Sequence, residues 1–258
     1  MSQMPQYYQS SNEYAEMLKA QNTDMFGPYI DLFLQFVQPK NRVIDVGCGV
    51  GTSTLLLRRA GFQADGTDVS DRFLPPGQEG FYAVNFQNAE NIASNSYAAA
   101  GTMNVLEHVE QPRQFLLELI RVVRPGGLII LLSPNLSSPL AALRIMSDLW
   151  RHRTPYMGIM RFSTAFFLFF INVMRCLRAS FGINAFEMRH AALETGITGY
   201  DADAVYWTNA VEVRRFLREH GCEICLYQRK GRSWGARVIA NLLPGFAGQL
   251  CIVARKKQ

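Results

Sequence analysis

Asp45-Val-Gly-Cys-Gly-Val-Gly51 is the densest run of residues able to do chemistry. It joins an apolar, strand-type run at 42–46 to a helical run at 52–60. Glycines at such a junction, here Gly47, Gly49 and Gly51, let the backbone turn tightly and approach a ligand. The first N–H groups of the helix are unpaired and face that ligand. Cys48 rides in the same turn. The spacing is G-x-G-x-G, not the G-x-G-x-x-G of dinucleotide binders, and the Lys of a phosphate-cradling loop is missing. An acid opens the turn. A carboxylate there repels a pyrophosphate and favours a cationic ligand group; capping the next helix is its other possible role.

Other chemically capable residues are less organised. The five cysteines are odd in number and irregular in spacing, which argues against a disulfide framework. Cys222-Glu-Ile-Cys225 has C-x-x-C spacing but lies in a strand-type run, where positions three apart face opposite ways. No redox or metal site is expected. His152 and His190 fall in a stretch without regular rhythm, and His220 ends a helix beside Gly221, where the dipole alone explains it.

The elements that must hold these residues alternate. The first 40 residues look helical, with a polar-amphipathic piece at 13–19 and an apolar stripe at 29–37. Strands are expected at 42–46, 62–67, 81–86, 97–103 and 128–132, separated by helices, the clearest at 112–123. Such alternation predicts a parallel sheet with right-handed crossovers. The rhythm fails at Pro134 and returns as a helix at 211–220 and strands at 222–228 and 249–254. One domain over 1–258 is expected: N-terminal helices at 1–40, a core at 41–135, a helical, aromatic and Arg-rich insertion at 136–205, and a last helix and two strands at 206–258.

The chain carries 258 residues, 48% hydrophobic and 18% charged, which excludes a disordered protein and allows a large core. The net charge of +5 is uneven. Residues 1–139 are net acidic, whereas 140–182 hold six Arg and only Asp148. That fits nucleic acid, anionic lipid or an acidic substrate. The insertion's unbroken apolar run, 165–171, is far short of the ~20 residues of a spanning helix. A buried or interfacial helix flanked by Arg161, Arg175 and Arg178 is expected instead. The N-terminus has neither the basic nor the apolar region of a signal peptide, so a cytoplasmic protein is expected.

Val43-Ile-Asp-Val-Gly-Cys-Gly-Val-Gly51 resembles the first motif of the class I S-adenosylmethionine-dependent methyltransferase family. Further segments follow in that family's order. Gly66-Thr-Asp-Val-Ser70 is similar to the end of the second strand, whose acid takes the ribose hydroxyls. Asn88-Ala-Glu90 falls where the adenine-side residues lie, and Asn104-Val-Leu-Glu-His-Val109 resembles the segment after the fourth strand. Arg121-Val-Val-Arg-Pro-Gly-Gly127 is similar to the turn before the fifth strand, and Ser133-Pro-Asn135 follows it. The likeness covers about 40–135 and, more weakly, 209–255. It implies an α/β, Rossmann-like, doubly wound fold: a mostly parallel seven-stranded sheet, helices on both faces and a helical insertion after the fifth strand. It also implies S-adenosylmethionine held by Asp45, Gly47, Cys48, Gly49, Gly51, Asp68, Val69, Asn88, Ala89 and Asn104. The chain departs from the family at Asn88, where an acid is commoner, and at Ala98, where Asp usually follows an aromatic, here Tyr97.

The implied reaction is methyl transfer to an O or C atom of a small or lipid-like acceptor. Leu106-Glu-His-Val resembles quinone O-methyltransferases, which suggests an isoprenoid-quinone or polyketide-type acceptor; a glycan or lipid-linked sugar stays open. Such transfer needs orientation and, for a hydroxyl or acidic carbon, a base. His108, with Glu107 beside it, is the candidate base; a supporting or capping histidine is the alternative. RNA is disfavoured, because there is no separate basic module and the cofactor half is acidic. A protein of the same fold that binds cofactor or docks on a membrane without transferring methyl is the second reading, motivated by Ala98 and the altered adenine segment.

The phenylalanines at 162, 166, 167, 169 and 170, with Trp150 and Tyr156, admit three readings. They could be the core of an extra helical layer, the wall of an acceptor pocket, or a membrane-facing lid. In the last case Arg151, Arg153, Arg161, Arg175 and Arg178 would meet lipid phosphates. Asp201-Ala-Asp203 with Tyr206-Trp207 is a short turn that either reaches the acceptor or is solvated. Composition does not give the oligomeric state.

Overall fold

The structure is a computed structural model, and it describes residues 18, 22–183, 185–191, 201–228, 238 and 243–258. Its strands are Arg42–Val46 (β1), Gln63–Asp68 (β2), Phe81–Ala83 (β3), Tyr97–Met103 (β4), Val123–Pro134 (β5), Cys222–Tyr227 (β6) and Gln249–Lys256 (β7). Its helices are Gly27–Phe36 (α1), Thr52–Arg59 (α2), Pro112–Val122 (α3), Pro139–Trp150 (α4), Phe162–Ser180 (α5) and Ala210–Glu219 (α6).

One seven-stranded sheet runs β3-β2-β1-β4-β5-β7-β6. β1 to β5 are mutually parallel, and β7 lies antiparallel between β5 and β6. The expected mostly parallel, doubly wound sheet is what forms. The alternation of side chains along the strands makes two cores. Ile44, Ala100 and Ile129 point to the α3 and α6 face; Val43, Ala99 and Ile130 point to the α1 and α2 face. β4 is Ala- and Gly-rich because α1 packs close to it: a Cβ on Gly101 would overlap the rings of Tyr29 and Phe33.

Three expectations change. Among the described residues no helix separates β2 from β3 or β3 from β4. Pro75-Pro76-Gly77 and the Asn- and Ser-rich 85–96 stretch form turns instead, as their poor helix propensity dictates. The helix expected at 13–19 lies outside the described residues apart from Leu18. The insertion does form helices, α4 packed on α5, but α5 turns its small and polar side inward: Ala165, Leu168, Asn172, Cys176 and Ala179 are buried. Its phenylalanines are therefore not the core of an extra layer; only Phe169 packs partly against that cluster. α5, at 19 residues, is also long and apolar enough to cross a membrane by length and composition, beyond what the 165–171 run predicted. On β6, Cys222 is buried and Cys225 exposed, as period-two alternation requires.

Candidate functional site

The sheet opens a cleft at the carboxyl ends of β1, β2 and β4, the place where open α/β sheets hold ligands. The glycine turn forms one wall. Gly47, Gly49 and Gly51 have φ of +76°, +54° and +82°, the left-handed region that glycine enters without steric cost. The N–H groups of Gly47 and Cys48 both donate to the Thr67 carbonyl, at 2.7 and 3.0 Å, which locks the turn to β2. Gly47 and Gly49 line the cleft; Gly51 sits behind it as the N-cap of α2.

Asp45 closes the floor and is nearly inaccessible. The Tyr29 hydroxyl donates to Oδ1 at 2.8 Å, and the Ser53 and Thr54 hydroxyls donate to Oδ2 at 2.6 and 2.7 Å. Burial raises its pKa, and these three donors pull it back down. The carboxylate thus ties α1, β1 and α2 together and places negative charge under the glycine turn. The same burial, with the charges of Asp45 and Asp68, pushes the Cys48 thiol well up, so it stays a neutral wall atom.

Asp68 ends β2 and faces the cleft. Its Oδ2 accepts the Gly49 N–H at 2.9 Å and its Oδ1 accepts the Ser70 N–H at 3.3 Å. Burial raises its pKa against those donors. Val69 and Asn104 also line the cleft. Asn104 has φ +53°, an uncommon conformation for a side-chain-bearing residue, and its N–H donates to the Leu132 carbonyl at 2.8 Å. Asn88 and Ala89, expected at the adenine side, do not line the cleft, and Ala89 is packed into the core. β3 ends early, at Ala83, and a turn closed by Asn88 N–H to Asn85 carbonyl (2.9 Å) presents Asn85, Phe86 and Gln87 instead.

Glu107 and His108 form a short 3-10 turn after β4. Glu107 does not line the cleft: it is fully buried, with Oε2 accepting the Ser133 hydroxyl at 2.7 Å. Burial pushes its carboxyl well up. His108 does line the cleft. Its Nδ1 lies 3.4 Å from Asp203 Oδ2, and its Nε2 3.8 Å from Glu107 Oε1. Burial opposes charging of the ring, but Asp203, Glu107 and Asp201 outweigh it and the pKa is raised. The 201–206 turn is brought here by the Glu107 carbonyl, which accepts the N–H groups of Val205 and Tyr206 at 2.8 and 3.0 Å. The turn thus sets Asp203 against His108, while none of residues 201–207 lines the cleft itself.

A family model described as a methyltransferase domain matches residues 17–168, more than half the chain. The chain belongs to that family. Similar curated proteins include the 2-methyl-6-phytyl-1,4-hydroquinone methyltransferase of Synechocystis, 29% identical over 110 residues, which are 40% of this chain and 35% of the relative. A ubiquinone biosynthesis O-methyltransferase of Maricaulis maris is 29% identical over 118 residues, 42% of this chain and 46% of the relative. The matches thus span less than half the length of either relative. Among solved structures, magnesium protoporphyrin IX methyltransferase of Synechocystis with bound SAH has a TM-score of 0.58, at 14% identity and 98% coverage of both chains. That likeness shows the fold.

In this methyltransferase domain several site residues carry no local signal in the sequence. Tyr29, Ser53 and Thr54 are recognisable only once they converge on Asp45. Met25, Phe26, Phe73 and Phe115 supply much of the cleft's apolar wall, from elements far apart in sequence. The insertion's phenylalanines supply none of it, so the acceptor-pocket reading of that cluster is corrected too.

Proposed function

We propose that the chain transfers a methyl group from S-adenosylmethionine to an O or C atom of a small, apolar acceptor, a quinone-type phenol above all. The observation that carries this reading is the cleft, which gathers the glycine turn, Asp68 and His108 at the carboxyl end of one sheet. When bound, the cofactor supplies an electrophilic methyl group on a sulfonium. The residues present fit it. The Asp68 carboxylate offers two acceptor oxygens for a vicinal diol. Val69 and Phe86 offer apolar walls for a planar base, and Asp45 places negative charge near a cationic centre.

The acceptor side is apolar, with His108 as its titratable group and Met25, Phe26, Phe73 and Phe115 excluding water. His108, with Nδ1 3.4 Å from Asp203 and Nε2 3.8 Å from Glu107, is the group that takes the acceptor's proton. A phenol titrates near pH 10, and a histidine pKa raised by carboxylates is better matched to it than an ordinary one. Asp203 is a positioning residue, fixing the tautomer and stabilising the imidazolium. The names of the two quinone-type relatives support the acceptor class. Nucleic acid is not part of the reading. We assign the protein to the cytoplasm, at a membrane surface from which an isoprenoid-chained acceptor is drawn.

The test is calorimetric titration with S-adenosylmethionine, followed by labelled-methyl transfer to a panel of quinol-type phenols. His108→Gln should keep cofactor affinity and lose turnover. Absence of cofactor binding at millimolar concentration sinks the proposal. Binding without product on any phenol favours the second reading, a cofactor-binding protein of the same fold.

A further inference from the structure

α5 carries its apolar side outward. Phe162, Phe166, Phe167, Phe170, Ile171 and Met174 are all substantially exposed, with Phe167 at 63%, while the buried side is the small and polar one. The stripe from 162 to 177 is about 23 Å long at 1.5 Å per residue. Its starting end is the 151–161 connection from α4. There Arg151, Arg153 and Arg161 are exposed beside the even more exposed Trp150 (81%) and Met160 (66%). None of these three arginines forms an ion pair with a described residue. Arg178 stands exposed at the far end. Arg175, by contrast, is not available: it makes two hydrogen bonds to Glu187, at 2.9 and 2.8 Å, and lies over the Trp207 ring.

Resting on the proposed placement at a membrane, the structure assigns the outward face of α5, with the arginine-bearing α4–α5 turn, as a docking surface for an anionic lipid bilayer. An apolar helical face with aromatic anchors and arginines at its margins lies in the headgroup boundary. The charge selects among occupants. Residues 150–180 contain no Asp or Glu, so a second copy of this face offers the three arginines no counter-charge, whereas lipid phosphates neutralise them. The helix lies on the bilayer and does not cross it. Asn172 donates to the carbonyls of Leu136 and Ser138 at 3.1 and 2.9 Å, and the Arg175–Glu187 pair fixes the same side to the body of the protein. Crossing would strip those contacts and bury their polar groups in hydrocarbon.

Flotation with vesicles of phosphatidylcholine, alone or mixed with phosphatidylglycerol, tests this on the full chain. Each basic residue near an anionic surface contributes about 1 kcal/mol, or about fivefold, so three give a preference on the order of a hundredfold for the anionic vesicles. Combined Arg151→Glu, Arg153→Glu and Arg161→Glu should erase that preference. Combined Phe167→Asp and Phe170→Asp should abolish flotation. Cofactor binding by the same variants, measured without vesicles, reports the cleft separately, so failure of docking and failure of the methyltransferase reading are told apart. If a variant does not fold, quenching of the wild-type tryptophan emission by brominated phosphatidylglycerol gives the same answer. Absence of flotation and quenching overturns the inference. So does a wild-type oligomer that the Phe substitutions convert to monomer, which would put a second copy on this face.

Discussion

Replacing Tyr29 by Phe removes one oxygen and keeps the ring, which is fully buried and packs edge-on to Phe33 at 5.2 Å between centroids. The loss falls on Asp45, whose Oδ1 then has no hydroxyl donor while Ser53 and Thr54 still hold Oδ2. A hydrogen bond to a charged group contributes about 1.5–3 kcal/mol. For a chain of this size each kcal/mol moves Tm by about 2–4 °C, so Tyr29→Phe should lower Tm by about 3–12 °C at neutral pH. The pH dependence has a definite sign. Burial raises the folded pKa of Asp45, and the Tyr29 donor is one of three that lower it. Removing that donor raises the folded pKa further. The variant's deficit is therefore full above that pKa and shrinks as pH falls through it, because a protonated carboxyl needs fewer acceptor contacts. Burial and the Asp45 charge hold the Tyr29 phenol protonated throughout, so it remains a donor in the wild type. Thermal unfolding of both proteins across the acid range is the assay. A Tm change under about 1 °C at neutral pH, or a deficit that grows toward acid, refutes the picture of Asp45 as a buried anion sustained by three hydroxyls.

Asp203→Asn removes the charge nearest His108 Nδ1 and should lower the histidine's pKa, moving the rising limb of the pH–rate profile to lower pH; an unmoved limb excludes the positioning role. Asp68→Ala removes the acceptor of the Gly49 N–H along with the carboxylate proposed to hold the cofactor's diol, and titration should show cofactor affinity falling by about ten- to a hundredfold. Gly47→Ala meets both a positive φ of +76° and Val105, so denaturant unfolding should register a loss of about 2–4 kcal/mol. Gly77→Ala, with φ +70° but open space around its Cβ, should lose only the backbone part, about 1–2 kcal/mol.

The sheet was legible because its signals are local. β1 and β4 coincide with the expected runs, and the other strands differ by a few residues at their ends. The glycine turn was legible for the same reason, since positive φ and helix capping are written in adjacent residues. Contacts across long sequence separations were not. Asp203 reaches His108 through a turn held by the Glu107 carbonyl and by Arg189, both remote from it in sequence. Asn88 and Ala89 fall away from the cleft because β3 stops at Ala83, three residues short of the run expected at 81–86. The orientation of α5 was in fact encoded. Ala165, Leu168, Asn172, Cys176 and Ala179 recur at three- and four-residue spacing and mark one face. Small residues on that face permit close packing on α4, and Asn172 needs buried carbonyl partners, so the bulky phenylalanines are left to the outside.

The insertion lines no part of the cleft, yet it bears on the site. Its first residues and the segment after the 201–206 turn are stitched together: Ser137 N–H donates to the Thr208 carbonyl at 2.9 Å, and Leu136 N–H to the Thr208 hydroxyl at 3.0 Å. α5 adds to the stitch, because Arg175 stacks on Trp207 while pairing with Glu187, whose carbonyl accepts the Trp207 N–H at 2.9 Å. That same strip of chain, one residue earlier, is bonded to the Glu107 carbonyl beside His108. The side chains that tie α5 to the body are thus the ones that hold the carboxylates of the 201–206 turn against the histidine. A chain lacking α4 and α5 would keep the glycine turn, Asp45 and Asp68, which depend on β1, β2, α1 and α2 alone. It would lose the anchor for Asp203. The glycine turn, Asp45 and Asp68 belong to the sheet and the helices beside it; the insertion's contribution is to keep Asp203 against His108.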